Sequence, residues 1–349
     1  RDYMFAALGR FDYTPQDCFN FHDAIQKEVV PIMRQLEQKR KKALGVSSLR
    51  PWDMDVDPTG QAPLQPFATS DELLQKSLNC LGSTDPYFQE CLAVMQQINH
   101  LDLESRKGKA PGGYNYPLDE VGVPFIFMNA TSNLRDVVTL LHEAGHAVHS
   151  FLTRDLALGA FKHPPSEVAE LASMSMELLT LDKWDRFFDN EQELSRAKKQ
   201  HLEGVLSTFP WVATVDKFQH WIYENPTHTT EERTAKWVEI FNQFNLQEVD
   251  WNGLEDYREF SWHKQLHIFE VPFYYIEYAM AQLGAIAVWK NYKQQPQKAL
   301  ALYKEALALG FTKSIGDIYE TAGIKFDFST NYIHELVQFV AGELNQIGE

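Results

Sequence analysis

Apolar residues recur along most of the chain at the three- and four-residue spacing of α-helices. The clearest case predicts a buried helix over about residues 133–153, where Asn133 or Ser132 is the expected cap. Its apolar positions are Val137, Val138, Leu141, Ala144, Val148 and Phe151. Residues 121–129 instead have the composition of a strand, and Pro124 within them favours an edge strand. The pattern predicts a mainly helical fold with a small sheet beside this helix.

Start and stop signals predict the other elements. A long helix is expected over residues 15–44, with Thr14 as its cap and a kink at Pro31. A proline-rich connector follows at 49–68, and two shorter helices are expected near 70–80 and 86–99. From residue 182 onward the pattern is helix after helix, with many aromatic residues at core positions.

Composition and charge narrow the function classes. The 349 residues are 44% hydrophobic and carry a net charge of −16, which indicates a globular protein and argues against nucleic-acid or anionic-membrane partners. No apolar run is long enough for a membrane span. Cys18, Cys80 and Cys91 lack metal-binding spacing and predict free, mostly buried thiols in a reducing compartment, so a cytoplasmic location is expected. The chain begins at Arg1 within a helical pattern, and we expect it to be part of a longer protein.

The chemistry of the chain centres on the sequence His142-Glu143-Ala144-Gly145-His146. On a helix, His142 and His146 lie one turn apart and project from the same face. Two imidazoles in that arrangement bind one Zn²⁺, and the glutamate between them acts as the base that takes a proton from water. The apolar residues on both sides argue against a solvated surface helix, because burying these polar groups requires partners.

A catalytic zinc ion usually has a third protein ligand. The metzincin spacing requires glycine and histidine where this chain has His149 and Leu152, so a carboxylate on another helix is the remaining common choice. The next predicted helix covers residues 164–180 and carries Glu167, Glu170 and Glu177 near one face, among apolar residues. One of the three is expected to bind the metal and the others to orient the imidazoles, and spacing alone leaves the choice open.

The segment 142–149 together with Val168-Ala169-Glu170-Leu171-Ala172-Ser173 resembles the thimet oligopeptidase and oligoendopeptidase F family of zinc metallopeptidases. The likeness extends from near residue 1 to the C-terminus and is strongest to oligoendopeptidase F. It implies that Glu170 is the third ligand and that Glu167 and Glu177 support the ligands. It also implies one zinc ion per chain and a missing N-terminal helical region.

The same resemblance implies a zincin-like helical fold with a deep channel that admits only short peptides. Residues 1–349 are expected to form one catalytic domain, with the sheet and zinc-binding helices at 100–180 and a helical lobe at 181–349. The likeness includes the glycine-rich loop and the strand that follows it. The expected peptide-binding residues there are Gly112, Gly113, Phe125 and Phe127.

A second segment, residues 262–279, carries histidines and tyrosines around Pro272. Such groups suit donation of hydrogen bonds to a developing oxyanion, although a buried aromatic helix start has the same composition. The family resemblance implies that His267, Tyr275 and Tyr278 face the zinc ion. The intervening residues 270–273 differ from the glycine-rich version common in the family, so Tyr274 is kept as a further candidate.

Taken together, these features predict a zinc-dependent endopeptidase that acts on short peptides, with Glu143 as general base. A zinc carboxypeptidase on a related helical fold and a non-catalytic zinc- or peptide-binding fragment are the alternatives. The intact Glu143 argues against the fragment that only binds. A di-metal carboxylate bundle requires a second Glu-x-x-His sequence, which the chain lacks. Cleavage preference and oligomeric state are not indicated by the sequence.

Overall fold

The computed structural model describes residues 1–347 and contains mostly α-helices with one small sheet. This confirms the predicted mainly helical fold; the zincin-like arrangement and the channel stay predictions. In chain order the elements are α1 (Asp2–Ala7), α2 (Pro15–Glu28), α3 (Val30–Leu44), α4 (Ser70–Thr84), α5 (Pro86–Gln97), β1 (Leu101–Glu104), β2 (Tyr114–Tyr116), β3 (Phe125–Ala130), α6 (Leu134–Thr153), α7 (Gly159–Lys162), α8 (Ser166–Thr180), α9 (Glu191–Glu224), α10 (Thr230–Phe244), α11 (Glu255–Glu259), α12 (His267–Glu270), α13 (Ile276–Gln294), α14 (Pro296–Ala308), α15 (Ile315–Thr321) and α16 (Thr330–Gln346).

The described chain divides into two compact units. The first joins residues 1–62, 202–279 and 327–345, and the second joins 63–201, 280–326 and the C-terminal residues from 346. The expectation of one catalytic domain over 1–349 stays a prediction, and its last two residues lie outside the described part of the chain.

The sheet belongs to the second unit and has the strand order β1-β3-β2. β1 runs parallel to β3, with Leu101 opposite Ile126, and β2 runs antiparallel to it, with Asn115 also opposite Ile126. The prediction that residues 121–129 form an edge strand is therefore wrong. Pro124 is tolerated because it stands just before the first residue of β3, where its missing N–H breaks no ladder hydrogen bond. The short strands β1 and β2 occupy the two edges instead.

Helices α6 and α8 pack closely against each other in the second unit. Gly145 makes this possible, because a Cβ atom built there would lie 2.6 Å from Ser173 Cα and 2.7 Å from the Ala172 carbonyl oxygen. The same carbonyl accepts a 2.7 Å hydrogen bond from the buried Tyr303 hydroxyl on α14. The α8 backbone at Ala172 is thus contacted by both α6 and α14. The close approach of α6 and α8 brings the polar side chains of these two helices together.

The first unit is built on α2, α3, α10, α16 and the part of α9 after residue 202. Its core contains Phe21, Phe209, Phe218, Trp237 and Phe244, all nearly inaccessible to solvent. α2 starts with the predicted cap, since the Thr14 hydroxyl accepts from the Asp17 N–H and the Asp17 carboxylate accepts from the Thr14 N–H.

The structure also tests the predictions for the helix at 15–44, the cysteines and membrane spans. The proposed helix over 15–44 is interrupted rather than kinked, because one helix ends at Glu28 and the next begins at Val30, so that Pro31 occupies a first turn where no N–H partner is needed. Cys18, Cys80 and Cys91 are free and buried, as expected. Over residues 1–347, no helix combines the length and apolar character needed to cross a bilayer.

Candidate metal centre

The first half of the site lies on α6. The helix starts at a capping box in which Asn133 Oδ1 accepts from the Asp136 N–H and the Asp136 carboxylate accepts from the Asn133 N–H. This confirms Asn133 as the cap. From that start, His142 and His146 project from one face, with ring centroids 5.0 Å apart and planes nearly perpendicular at 84°. The opposite face, which includes Val137 and Leu141, is fully buried and fixes the rotation of the helix.

The second half comes from α8. Glu170 Oε2 lies 3.2 Å from His142 Nε2 and 3.9 Å from His146 Nε2. The three donor atoms all lie within 4.8 Å of one another. The Ser173 hydroxyl, one turn further along α8, donates a 3.0 Å hydrogen bond to the same Glu170 oxygen. Of the three glutamates that spacing left open, Glu170 is the one that faces both imidazoles at their Nε2 atoms.

Glu177 contacts Nδ1 of His142, the ring nitrogen that does not face Glu170. Its Oε1 lies 2.6 Å from His142 Nδ1, which places the ring proton on Nδ1 and leaves Nε2 as a ligand atom. Its Oε2 lies 3.5 Å from Nε2 of the buried His201, on α9. Sequence reasoning missed His201, because nothing in its local pattern distinguishes it from the other core positions of a long helix.

Burial and mutual contacts shift the pKa values of these groups in opposite directions. Burial lowers the pKa of His142, but hydrogen bonds and charges from Glu170 and Glu177 outweigh it and hold that pKa well above the usual value. Burial, assisted by the charge on His142, outweighs the nearby glutamates and lowers the pKa of His146 to about 4, so this imidazole is neutral. Burial raises the pKa of Glu170, but His142, His146 and Ser173 reverse the shift and lower it to about 2. The carboxylate is therefore ionised and requires a positive partner.

These residues fit a zinc ion. Two Nε2 atoms and one carboxylate oxygen form the two-histidine, one-glutamate ligand set of catalytic zinc sites, which leaves a coordination position for water. The carboxylates of Glu170 and Glu177 flank His142, so the pocket carries an excess of negative charge that a divalent cation neutralises. The Glu177 contact supplies the outer hydrogen bond that ligand imidazoles usually make.

Glu143 directly follows His142 on α6 and is only 6% exposed. Desolvation raises its pKa to about 7, although the nearby His142 opposes the shift. A carboxyl group poised near neutrality suits both acceptance and release of a proton. The Asn115 side-chain amide of β2 donates a 3.4 Å hydrogen bond to the Glu143 carbonyl oxygen, so the sheet edge lies directly beside this position.

The predicted peptide-binding residues lie around that edge. Phe127 on β3 stacks on Tyr114 of β2, with centroids 5.0 Å apart and an interplanar angle of 11°. Phe125 lines an open, mainly apolar depression of about 560 Å³ together with Tyr114, Tyr116 and Leu118.

Gly112 and Gly113 lie in the loop that leads into β2. Gly112 has a φ of +102°, which a residue with a side chain rarely adopts. Its carbonyl oxygen accepts a 3.0 Å hydrogen bond from Asn129 Nδ2. A Cβ at Gly113 would lie 3.1 Å from Thr139 Cγ2, on α6. Both glycines thus set the course of the loop; their contact with a peptide stays a prediction.

His267, Tyr275 and Tyr278 are brought together, but in the first unit. The ring centroid of His267 lies 5.1 Å from that of Tyr275 and 5.8 Å from that of Tyr278. Tyr278 Oη lies 3.4 Å from His267 Nε2, and Gln265 Nε2 lies 2.6 Å from His267 Nδ1. Tyr274, the further candidate, stacks on His267 with centroids 5.8 Å apart.

Glu167 on α8 and His149 on α6 are two further buried polar residues of the predicted motifs. Glu167, expected to support the ligands, is 1% exposed on α8, and its backbone carbonyl accepts a 3.0 Å hydrogen bond from the Tyr319 hydroxyl. A role for its carboxylate beside the metal stays a prediction. His149, one turn after His146, is buried, and desolvation lowers its pKa to about 3, so it is a neutral core residue.

Comparison with known proteins assigns this arrangement to a family. The family model for peptidase family M3 matches residues 1–338. The chain belongs to peptidase family M3. Among curated M3-related proteins, an oligoendopeptidase F homolog of Borreliella burgdorferi is 25% identical over 303 residues, which cover 85% of this chain and 50% of the relative. The chromosomal oligoendopeptidase F of Lactococcus lactis subsp. cremoris is 22% identical, over 91% of this chain and 52% of the relative.

Solved structures share the fold of this chain. The structure of PZ peptidase A with inhibitor 2 matches 99% of this chain and 61% of that chain, with a TM-score of 0.92 and 30% identity. The oligoendopeptidase-F of Enterococcus faecium shares the fold at a TM-score of 0.66 and 18% identity, over 99% of this chain and 54% of that one. The chain spans about half the length of the curated relatives it matches.

Proposed function

We propose that this chain is the catalytic part of a zinc-dependent endopeptidase that hydrolyses short peptides. The observation that carries the proposal is the meeting of His142 Nε2, His146 Nε2 and Glu170 Oε2 within 4.8 Å, beside a glutamate whose pKa is raised to about 7. Membership of peptidase family M3 supports the same reaction class.

His142, His146 and Glu170 would hold the zinc ion, which would supply a Lewis acid for the peptide carbonyl and lower the pKa of the attacking water. The chain's own residues do the rest. Glu143 accepts the proton of the attacking water and then delivers it to the nitrogen of the departing amine. Burial of this carboxyl group raises its pKa to about 7, which suits both the uptake and the release of that proton. Glu177 keeps the His142 ring in the orientation and tautomer that present Nε2.

The peptide is proposed to align along β2. This strand is one of the two edges of the sheet, and its Asn115 contacts the backbone of Glu143, so an extended peptide added there would run past the proposed base. Phe125, Tyr114 and Tyr116 offer an apolar depression for a substrate side chain. Gly112, Gly113 and Phe127 shape and support this edge in the proposal.

The proposal also assigns His267, Tyr275 and Tyr278 as donors that stabilise the oxyanion. Its support is the family resemblance and the clustering of an imidazole and two phenol groups, which are donors suited to that charge. Burial raises the pKa of Tyr275, so its hydroxyl keeps its proton at neutral pH.

The test uses the purified chain with its metal content measured, and peptides blocked at both ends that report internal cleavage. We expect zinc binding and cleavage of blocked peptides, and a decrease in kcat of about 10²–10⁴-fold with zinc retained for Glu143→Gln. Zinc binding by the wild type without any cleavage would replace the catalytic proposal with peptide binding. Cleavage only of peptides with a free C-terminus would favour the carboxypeptidase alternative.

A further inference from the structure

A second group of potential metal ligands lies in the first unit, apart from the residues assigned above. Within the described part of the chain, two groups bring three such atoms within 4.8 Å of one another. One is the His142 site, and the other consists of Cys18, Asp216 and His220. Cys18 lies on α2, and Asp216 and His220 lie one turn apart on α9.

All of these side chains are essentially inaccessible to solvent: Cys18 and Asp216 are 0% exposed and His220 is 1% exposed. Asp216 Oδ1 and both ring nitrogens of His220 are buried without a hydrogen-bond partner. The His220 ring is enclosed by aromatic rings, with centroid distances of 5.8 Å to Phe5, 5.0 Å to Phe19 and 4.9 Å to Phe273. Buried polar atoms normally have partners, so three such atoms in one place require an explanation.

A fourth residue gives the group the architecture of a metal site. His22, one turn after Cys18 on α2, places its Nε2 2.8 Å from Asp216 Oδ2. This contact orients the Asp216 carboxylate through Oδ2, and Oδ1 is the oxygen that is buried without a hydrogen-bond partner. Ligating carboxylates are commonly held in this way by a neighbouring hydrogen bond.

The spacing and the ligand types are those of zinc. His220 Nε2 lies 3.5 Å from Asp216 Oδ2, close to the roughly 3.4 Å that separates neighbouring ligands of a tetrahedral zinc ion with bonds near 2.1 Å. A thiolate, an imidazole and a carboxylate are all zinc ligands, and the thiolate disfavours magnesium and calcium. The thiolate and the carboxylate also balance the two charges of the ion, which matters where no water reaches it.

We infer that Cys18, Asp216 and His220 bind a second, structural zinc ion, with His22 orienting the Asp216 carboxylate. The ion links α2 to α9, since each helix contributes ligands. Binding converts the Cys18 thiol to a thiolate and releases its proton to solvent. Because all three ligands are buried away from solvent, the ion contributes to folding and not to hydrolysis.

The proposal is tested with cobalt in place of zinc, introduced during expression because a closed site exchanges slowly. A cobalt–thiolate charge-transfer absorption reports a cysteine ligand, and the His142 site has none. We expect this absorption in the wild type and in Glu170→Ala, which loses the other metal. It should disappear in Cys18→Ser and persist in Cys91→Ser, the control for a buried cysteine elsewhere.

Metal content of the zinc-bound chain provides the second readout. We expect Glu170→Ala and Cys18→Ser each to lose one zinc ion, and the double variant to lose both. If Cys18→Ser fails to fold, the wild-type cobalt spectrum still tests whether a cysteine binds the metal. Absence of the thiolate absorption, together with complete loss of metal in Glu170→Ala, would overturn the proposal. Because the readout is spectroscopic, it is independent of whether the chain cleaves peptides.

Discussion

Glu177 Oε1 lies 2.6 Å from Nδ1 of His142, the first of the two α6 imidazoles. Removal of this partner frees the ring to rotate and to change tautomer. We expect Glu177→Ala to weaken zinc binding about 10–100-fold, and Glu177→Gln to weaken it less, because the amide oxygen still accepts from Nδ1–H.

Competition with a chelator of known affinity measures this change. Glu305→Gln, at an exposed position on α14, is the matched control and should bind zinc like the wild type. Unchanged affinity in Glu177→Ala would show that the ring is held by packing alone.

The contact between α6 and α8 depends on Gly145. An added methyl group would lie within 2.7 Å of the α8 backbone, so Gly145→Ala must push the helices apart. We expect a loss of about 1–3 kcal/mol in the free energy of unfolding and weaker zinc binding. The contrasting variant is Gly204→Ala on α9, where nothing lies within 4 Å. It should stabilise the chain by about 0.5–1 kcal/mol, because alanine favours helix over glycine. Urea unfolding of both variants checks the opposite signs.

Asp102 predicts a pH dependence of stability. Bidentate hydrogen bonds from Arg106, at 2.6 and 2.8 Å, and the Lys109 ammonium lower the pKa of this carboxyl group from 3.8 to about 2. The Lys109 side chain is itself buried, and its ammonium lies over the Phe127 ring. Because the folded-state pKa is the lower one, the stabilisation is present above about pH 4 and is lost as the pH falls towards 2.

We expect Asp102→Asn to lower the free energy of unfolding by about 1 kcal/mol at pH 7, after allowance for solvent screening. The difference from wild type should shrink as urea titrations move from pH 5 to pH 3. Asp189→Asn, at an exposed position, should show no comparable loss. A difference that does not change with pH would mean that packing, and not charge, is responsible.

Removing one hydroxyl group at a time distinguishes the roles of the tyrosines near His267. If Tyr275 and Tyr278 donate to the oxyanion, Tyr275→Phe and Tyr278→Phe should each lower kcat by about 10²-fold with KM and zinc content little changed. Tyr274→Phe should remain near wild type. Steady-state kinetics on a blocked peptide measures all three. A large loss in Tyr274→Phe alone would move the assignment to Tyr274.

Local sequence was sufficient for the elements that carry the metal ligands. Asn133 and Asp136 start α6, and the period of apolar residues after them dictates which face is buried, so His142 and His146 had to share the other face. These are interactions among residues a few positions apart. The strand 125–130 was likewise recognisable from composition. Its position at the centre of the sheet could not be predicted, because the strands that pair with it come from other parts of the chain.

The sequence by itself therefore determined helix positions, the His-Glu-x-x-His motif and a short list of candidate carboxylates. Tertiary structure alone decided that Glu170 meets both Nε2 atoms, that Glu177 lies behind His142, and that His201 lies beside Glu177. It also gathered Cys18 and His220 from helices about 200 residues apart in the chain. The physical reason is that these contacts depend on how closely helices approach, and that approach is set by residues such as Gly145, whose role becomes visible only against the partner helix.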